Sequence, residues 1–348
     1  MDNAPGSGQS FNLTKSSLLV IAPFFLWGTA MVAMKGSIDQ TTPLFLASLR
    51  LLPAGVLVLV AAGLMGRPQP AGWRAWLWIS LFAFVDGTLF QGFLAEGLQR
   101  TGAGLGSVMI DSQPLAVAIM ARFLFGEVVG LFGWLGLGFG ISGISLLGLS
   151  DIWEQNMLAG QPMQFAPGSI SIAGFFQQGT GLMLMAALSM AVGTVLIRYV
   201  CRHADPISAT GWHMILGGIP LLIQSGLTES EQWQHLAIGD WGAIAYSTVF
   251  GSAIAYGIFF YLASIGNLTS LSALTFLTPV FALVFGNLFL GEVLSPIQWF
   301  GVGLTLISIY LVNQRQILAQ KIGRSMPETL DAAPTMAASQ PETDSRSA

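Results

Sequence analysis

Displaced by 165 positions, this sequence lies on itself. Pro114 falls on Pro279, Gly126 on Gly291, Glu127 on Glu292 and Val128 on Val293. The same displacement carries Trp134 onto Trp299, Gly136 onto Gly301 and Gly138 onto Gly303, and Gly28 and Thr29 onto Gly193 and Thr194 without a gap. A constant offset across helix breakers and bulky residues marks an internal duplication. The chain therefore reads as two copies of one unit.

Composition says what that unit is. Of the 348 residues, 53% are hydrophobic and only 9% charged, against about 25% charged in a soluble domain. Ten apolar spans are expected, at 17–37, 43–65, 75–98, 102–125, 130–149, 177–199, 207–226, 239–263, 267–290 and 295–314. Each approaches the ~20 residues that cross a bilayer as a helix. The expected fold is thus all-α and integral to the membrane. A polar N-terminal tail (1–16) precedes the first repeat (17–149); a linker (150–176) joins it to the second repeat (177–314), and a polar tail (315–348) follows. The first span follows Lys15, lacks a small-residue cleavage site and is expected to be retained. Cys201 stands alone, so neither a disulfide framework nor a cysteine metal site is expected.

Lysine and arginine positions orient the spans. With the N-terminus cytoplasmic, ten basic residues fall inside (Lys15, Arg67, Arg74, Arg122, Arg198, Arg202, Arg315, Lys321, Arg324, Arg346) and two outside (Lys35, Arg100). That bias predicts two cytoplasmic termini. Five spans per copy then insert the second copy upside down relative to the first, as an inverted repeat.

Several stretches resemble one family. They are WGTAMVAMK in the first span, LRLLPAG in the second, and the pair PLAVAIMARFLFGEVVGLFGWLGLGFGISGISLL and PVFALVFGNLFLGEVLSPIQWFGVGLTLISIYLV. They are similar to the EamA-type repeats of the drug/metabolite transporter superfamily, over essentially residues 17–314. The resemblance implies a ten-helix, exporter-like fold with a central cavity and alternating access. Members of the superfamily move amino acids, other small metabolites or nucleotide sugars.

Charges inside the spans are the candidate site. Asp86 lies at the midpoint of the third span. Arg50 lies roughly 6 Å outward of the centre of the second, and Asp111 roughly 4–5 Å outward of the centre of the fourth, at 1.5 Å per residue. Each would cost roughly 3 kcal/mol facing lipid, so Arg50 is expected to pair with Asp111 or Asp86, and Lys35 with Glu96. The second copy offers Ile215, Gly251 and Phe276 at the positions equivalent to 50, 86 and 111, so any charge chemistry is asymmetric. Trp27, Gln91 and Tyr256 complete the expected substrate site. Gln113, His213, Thr275 and Thr278 are further polar positions within spans; His213 has no second histidine at metal-ligand spacing, and no metal site is expected.

Glu127 and Glu292 each follow a glycine that can end a helix, and are expected to serve the N-terminus of the next helix. Pro114 and Pro279 free the carbonyls of Ile110 and Thr275, as packing kinks or as hinges at the cavity. The glycines at 133, 136, 138, 140 and 143 allow close helix packing, including against a second subunit in a homodimer.

The expectation is a secondary transporter of the inner or plasma membrane that exports small organic metabolites, amino acids first. Arg50 would take a carboxylate, Asp86 or Asp111 an ammonium, and Asp86 is the candidate for a coupling proton. The alternatives are exchange of nucleotide-linked or phosphorylated sugars, broad drug efflux, and a channel or scaffold. An intramembrane hydrolase is remote: the Gly-x-Gly-Asp motif is missing, and nothing builds an oxyanion site around Ser107 and His213. No glycine-rich phosphate loop is present, so ATP does not drive the protein directly; neither a cofactor nor a nucleic-acid partner is expected.

Overall fold

The computed structural model describes residues 13–34, 37, 40–100, 109–148, 179–290 and 295–321. Lys35, Ser107, the linker 150–176 and the junction Gly291–Glu292 lie outside the described residues. What is described is helical throughout, with no strand. The elements are α1 (Leu13–Met34), α2 (Pro43–Leu64), α3 (Gly72–Phe82), a π-helical segment Ala83–Phe90 and α4 (Gln91–Arg100). There follow α5 (Gln113–Phe125), α6 (Gly130–Gly148), α7 (Thr180–Val200) and α8 (Pro206–Thr228). Then come α9 (Ile238–Tyr246), a second π-helical segment Ser247–Ile254, α10 (Ala255–Ile265), α11 (Leu268–Ala273) and a 3-10 turn at Leu274–Phe276. Last are α12 (Leu277–Leu290), α13 (Pro296–Asn313) and α14 (Arg315–Lys321).

Eight of the continuous helices are long and apolar enough to cross a membrane among the described residues, and Leu18–Met34 and Gln113–Phe125 are shorter apolar helices. The fourth expected span is short because it breaks: Asp111 and Ser112 form a turn, and α5 starts with Pro114 in its first turn. Its counterpart behaves alike, since the 3-10 turn interrupts the chain just before Pro279. Proline lacks the N–H that would continue the helix through these points.

Caps from distant elements fix the helix ends. Glu229 accepts from the backbone N–H of Leu44 (2.9 Å) and Phe45 (3.0 Å) at the start of α2, and from the Thr42 hydroxyl. Asp205 caps α8 locally through Ile207 and Ser208. Ser295 and Gln298 close a reciprocal capping box on α13.

Glu127 corrects one sequence expectation. Gly126 does end α5 in the left-handed region, at φ 67°. The carboxylate that follows does not serve α6, however. It reaches across to α11, accepting from the N–H of Leu268 (3.0 Å) and Thr269 (3.1 Å) and from the Thr269 hydroxyl (2.8 Å), and pairs with Arg198 at 3.2 Å. Glu127→Ala strands three buried donors and a cation, so a loss of roughly 3 kcal/mol is expected, the scale for breaking a buried pair. Thermal unfolding in detergent, with Glu127→Gln as the milder comparison, checks it.

Beside this cap, Arg315 is 4% exposed and donates to the Val128 and Val312 carbonyls, Ser270 Oγ and Asn267 Oδ1. Residues 315–321, expected as the start of a solvated tail, are a docked helix.

The equivalent helices of the two halves pack on each other. α2 lies against α8, and α6 against α13. Gly136 abuts the Ser308 carbonyl and Gly143 the Gly301 carbonyl, so α6 and α13 run antiparallel. Gly136, Gly140 and Gly143 of α6 are packed within the chain, while Gly138 faces open space. The remaining contacts are reciprocal: α1 packs on α12 and on α9, the second π segment and α10, while α7 packs on α5 and on α3, the first π segment and α4. Large apolar side chains such as Val56, Val60, Leu188 and Ile223 stay exposed on the outer faces, where lipid tails solvate them.

Candidate functional site

The long helices Gly72–Arg100 and Ile238–Ile265 change to π-helical winding at mid-span. π segments place an extra residue in the turn and often mark functional sites. Here they carry Asp86 in one half and Ser247 and Ser252 in the other, each at most 2% exposed.

Next to them opens a cavity of about 390 Å³, within the range of small-molecule sites. Its walls come from α1 (Met34), the turn before α2 (Thr41), α2 (Pro43, Leu46, Ala47, Arg50) and α4 (Gln91, Leu94, Ala95, Leu98, Gln99). Arg50 is the charged residue among these lining groups. Its Nη2 makes one long contact to Ser252 Oγ, 3.4 Å, and its Nε is buried without a partner among the described residues. Gln91 Nε2 donates to Tyr256 Oη at 2.8 Å. The Tyr256 ring packs edge-on against Trp27, centroids 5.3 Å apart, and Trp27 Nε1 is also buried without a partner. Three of the expected residues thus form one chain, Gln91–Tyr256–Trp27, beside Arg50.

Among the described residues Arg50 forms no ion pair with either aspartate, and Lys35, the expected partner of Glu96, lies outside them. Asp86 turns away from Arg50 and bonds His213, Oδ2 to Nε2 at 3.1 Å, both side chains 1% exposed. The His213 ring stacks on Phe82 with centroids 4.2 Å apart. Asp111 lies in the turn before α5 and makes no ion pair among the described residues; Glu96 pairs with Arg100 on its own helix. Neither aspartate lines the cavity. The reason is topological: the first π segment faces α8 and the second faces α2, so depth alone misassigned the partner.

The two repeats of the EamA-like transporter family model match residues 14–149 and 177–314. The chain belongs to that family. It is 61% identical to an uncharacterized transporter of Synechocystis sp. over 306 residues, covering 87% of this chain and 91% of that one. It is 50% identical to a WAT1-related, chloroplastic protein of Arabidopsis thaliana over 85% of this chain and 68% of that protein. An uncharacterized inner membrane transporter of Escherichia coli is 25% identical over 84% of this chain. One crystal structure superposes with a TM-score of 0.71, covering 89% of this chain and 99% of that one at 19% identity, which speaks to the fold alone. This protein is a multi-pass membrane transporter.

As an EamA-like transporter, the chain shows a feature that its own duplication could have disclosed. Gln91 and Tyr256 are 165 positions apart, so equivalent positions of the two copies bond each other across the core. Read against the repeat, a polar residue at both equivalents is a pointer to the pseudo-symmetric centre. His213 also has a polar equivalent, Ser48, but its partner Asp86 lies on another helix, so the repeat does not disclose that pair.

Proposed function

We propose that this protein is a secondary transporter that moves small organic carboxylates, amino acids first among them, by alternating access across a cell membrane. The observation that carries the reading is the cavity: one guanidinium with unfilled hydrogen-bonding capacity, an amide at Gln91, and walls of Leu, Met, Ala and Pro. A guanidinium binds a carboxylate bidentately, and apolar walls take a hydrocarbon body. Trp27 and Tyr256 stand behind Gln91 as its support. Asp111 would take an ammonium only after the bundle rearranges; Asp86 is engaged by His213 and is not assigned to the substrate.

Ten spans in two inverted five-helix repeats are the architecture in this reading. The antiparallel packing of α6 with α13, and the reciprocal contacts of α1 and α7, support it. The breaks before Pro114 and Pro279 give hinges in equivalent positions. Arg67 pairs with Asp205, and Arg198 and Arg315 gather around Glu127 and the start of α11. In the proposed orientation this basic end is cytoplasmic, with both termini, and the membrane is the inner or plasma membrane. Export is the proposed direction, in keeping with the exporter-like resemblance. Phosphorylated or nucleotide-linked substrates are less well served, because a dianion among apolar walls would want more than one cation.

The test is uptake into proteoliposomes of L-leucine and its deaminated analogue 4-methylpentanoate. Saturable uptake with counterflow is the expected result. Flux linear in concentration would make the protein a channel, and uptake of sugar phosphates with neither probe moving would favour the exchanger.

A further inference from the structure

Asp86 belongs to the π segment of the first half and His213 to α8 of the second, and their contact has an odd proton count. His213 Nδ1 lies 2.6 Å from the Thr210 carbonyl, which only accepts, so Nδ1 carries a hydrogen. A neutral ring of that tautomer has a bare Nε2, and a carboxylate has no hydrogen. The 3.1 Å contact between Nε2 and Asp86 Oδ2 therefore needs one more proton, whether as imidazolium with carboxylate or as imidazole with carboxylic acid. Without it, two lone pairs would oppose each other and a net negative charge would be buried at mid-membrane.

The surroundings leave that proton to the pair. Asp86 Oδ1 has no partner among the described residues. From α7 it meets the backbone of Gly193, where a Cβ would lie 2.3 Å from Oδ1; Arg198 of that helix is occupied by Glu127 and the Gly266 carbonyl. On α3, Arg74 sits over Trp73 at the helix start, and on α4 Glu96 and Arg100 pair with each other. α8 presents His213 itself. From α10 comes Tyr256, whose hydroxyl is within electrostatic reach of both Asp86 and, from α2, Arg50.

We propose that the Asp86–His213 pair is a proton-carrying site, linked through Tyr256 and Gln91 to the carboxylate site at Arg50, and that proton and carboxylate are moved together. The sign follows from charge. Deprotonating the pair leaves a negative charge near Tyr256, which is also within electrostatic reach of the anion-binding Arg50, so each ligand favours the other's binding, and linkage makes the effect reciprocal. Because the partners come from opposite halves, a rocking motion between the halves opens the pair and releases the proton to the newly exposed side. The π winding around Asp86 gives that helix the slack to follow. Export down a metabolite's own gradient then carries a proton outward.

The inference rests on the carboxylate reading, and the experiment separates the two. L-leucine, a zwitterion that does not carry protons across lipid unaided, is offered to proteoliposomes with a trapped pH dye. A tenfold proton gradient, acid outside, should sustain up to about tenfold accumulation in the wild type, since one decade is 1.4 kcal/mol, with acidification of the lumen. Asp86→Asn keeps a hydrogen bond, because the introduced amide donates to Nε2, but holds no ionisable proton. It and His213→Gln should lower accumulation to about onefold and abolish acidification, while counterflow at equal pH persists. Acidification retained in both variants would overturn the proposal. If L-leucine does not move in the wild type, the carboxylate reading fails for amino acids, and the proton site is judged alone by ¹⁵N-histidine NMR. A pH-dependent His213 signal that loses its dependence in Asp86→Asn supports it; the same dependence in both overturns it.

Discussion

Arg50→Ala is expected to weaken saturable uptake of L-leucine or 4-methylpentanoate by roughly 10- to 100-fold. A charge-assisted hydrogen bond is worth roughly 1.5–3 kcal/mol, and each 1.4 kcal/mol is tenfold. The effect should appear in apparent affinity with little change in abundance, because among the described residues Arg50 makes one hydrogen bond, its long contact to Ser252. No ion pair is broken when it leaves, so no counter-charge is stranded. Arg50→Lys should fall between, keeping the charge but losing the planar fork. Uptake curves measured beside membrane abundance check this; full affinity in Arg50→Ala at normal abundance would remove Arg50 from the site and send the search to the breaks before Pro114 and Pro279.

The second large effect concerns the seam between the halves. Gly217 on α8 faces Gly87 in the π segment so closely that a Cβ on Gly217 would sit 2.5 Å from Gly87 Cα and 2.8 Å from the Ala83 carbonyl. Both obstacles are backbone, so no side chain can swing away. Gly217→Ala must push α8 off the π segment and with it His213 from Asp86. Overpacking of a tight contact costs typically 1–3 kcal/mol, and this one lies at the top of that range. Gly138→Ala is the control: no atom lies within 4 Å of its added Cβ, and alanine is the better helix former. The thermal midpoint of Gly217→Ala in detergent should drop clearly while that of Gly138→Ala holds; equal midpoints would mean the seam is looser than its geometry.

These two sites differ in how far the sequence foretold them. Arg50, Gln91, Trp27 and Tyr256 were legible because a polar or charged side chain amid apolar residues at mid-span must face protein or water; Arg50 and Gln91 line the cavity, with Tyr256 and Trp27 behind Gln91. The breaks at Pro114 and Pro279 were legible because proline removes a donor whatever the surroundings. The partner of Asp86 was not. Depth along a helix says how far a residue sits from the surface, not which neighbour its face meets, and a one-residue π insertion rotates that face. Glu127 failed the same way: its glycine-ended helix was readable, but the helix start it caps is in the other half of the chain.

Amino-acid order by itself determined that the chain lives in lipid, that it is a duplicated unit, where the helices stop, and which family it belongs to. All of these follow from local apolarity, breakers and a repeat length, which need no knowledge of neighbours. Only the tertiary structure decided that α8 meets the first π segment, that Asp86 takes His213 rather than Arg50, and that Arg50 is left free to face a cavity. Those choices are made between residues more than a hundred positions apart, where close backbone packing at glycines such as Gly87 and Gly217 sets which side chains can touch.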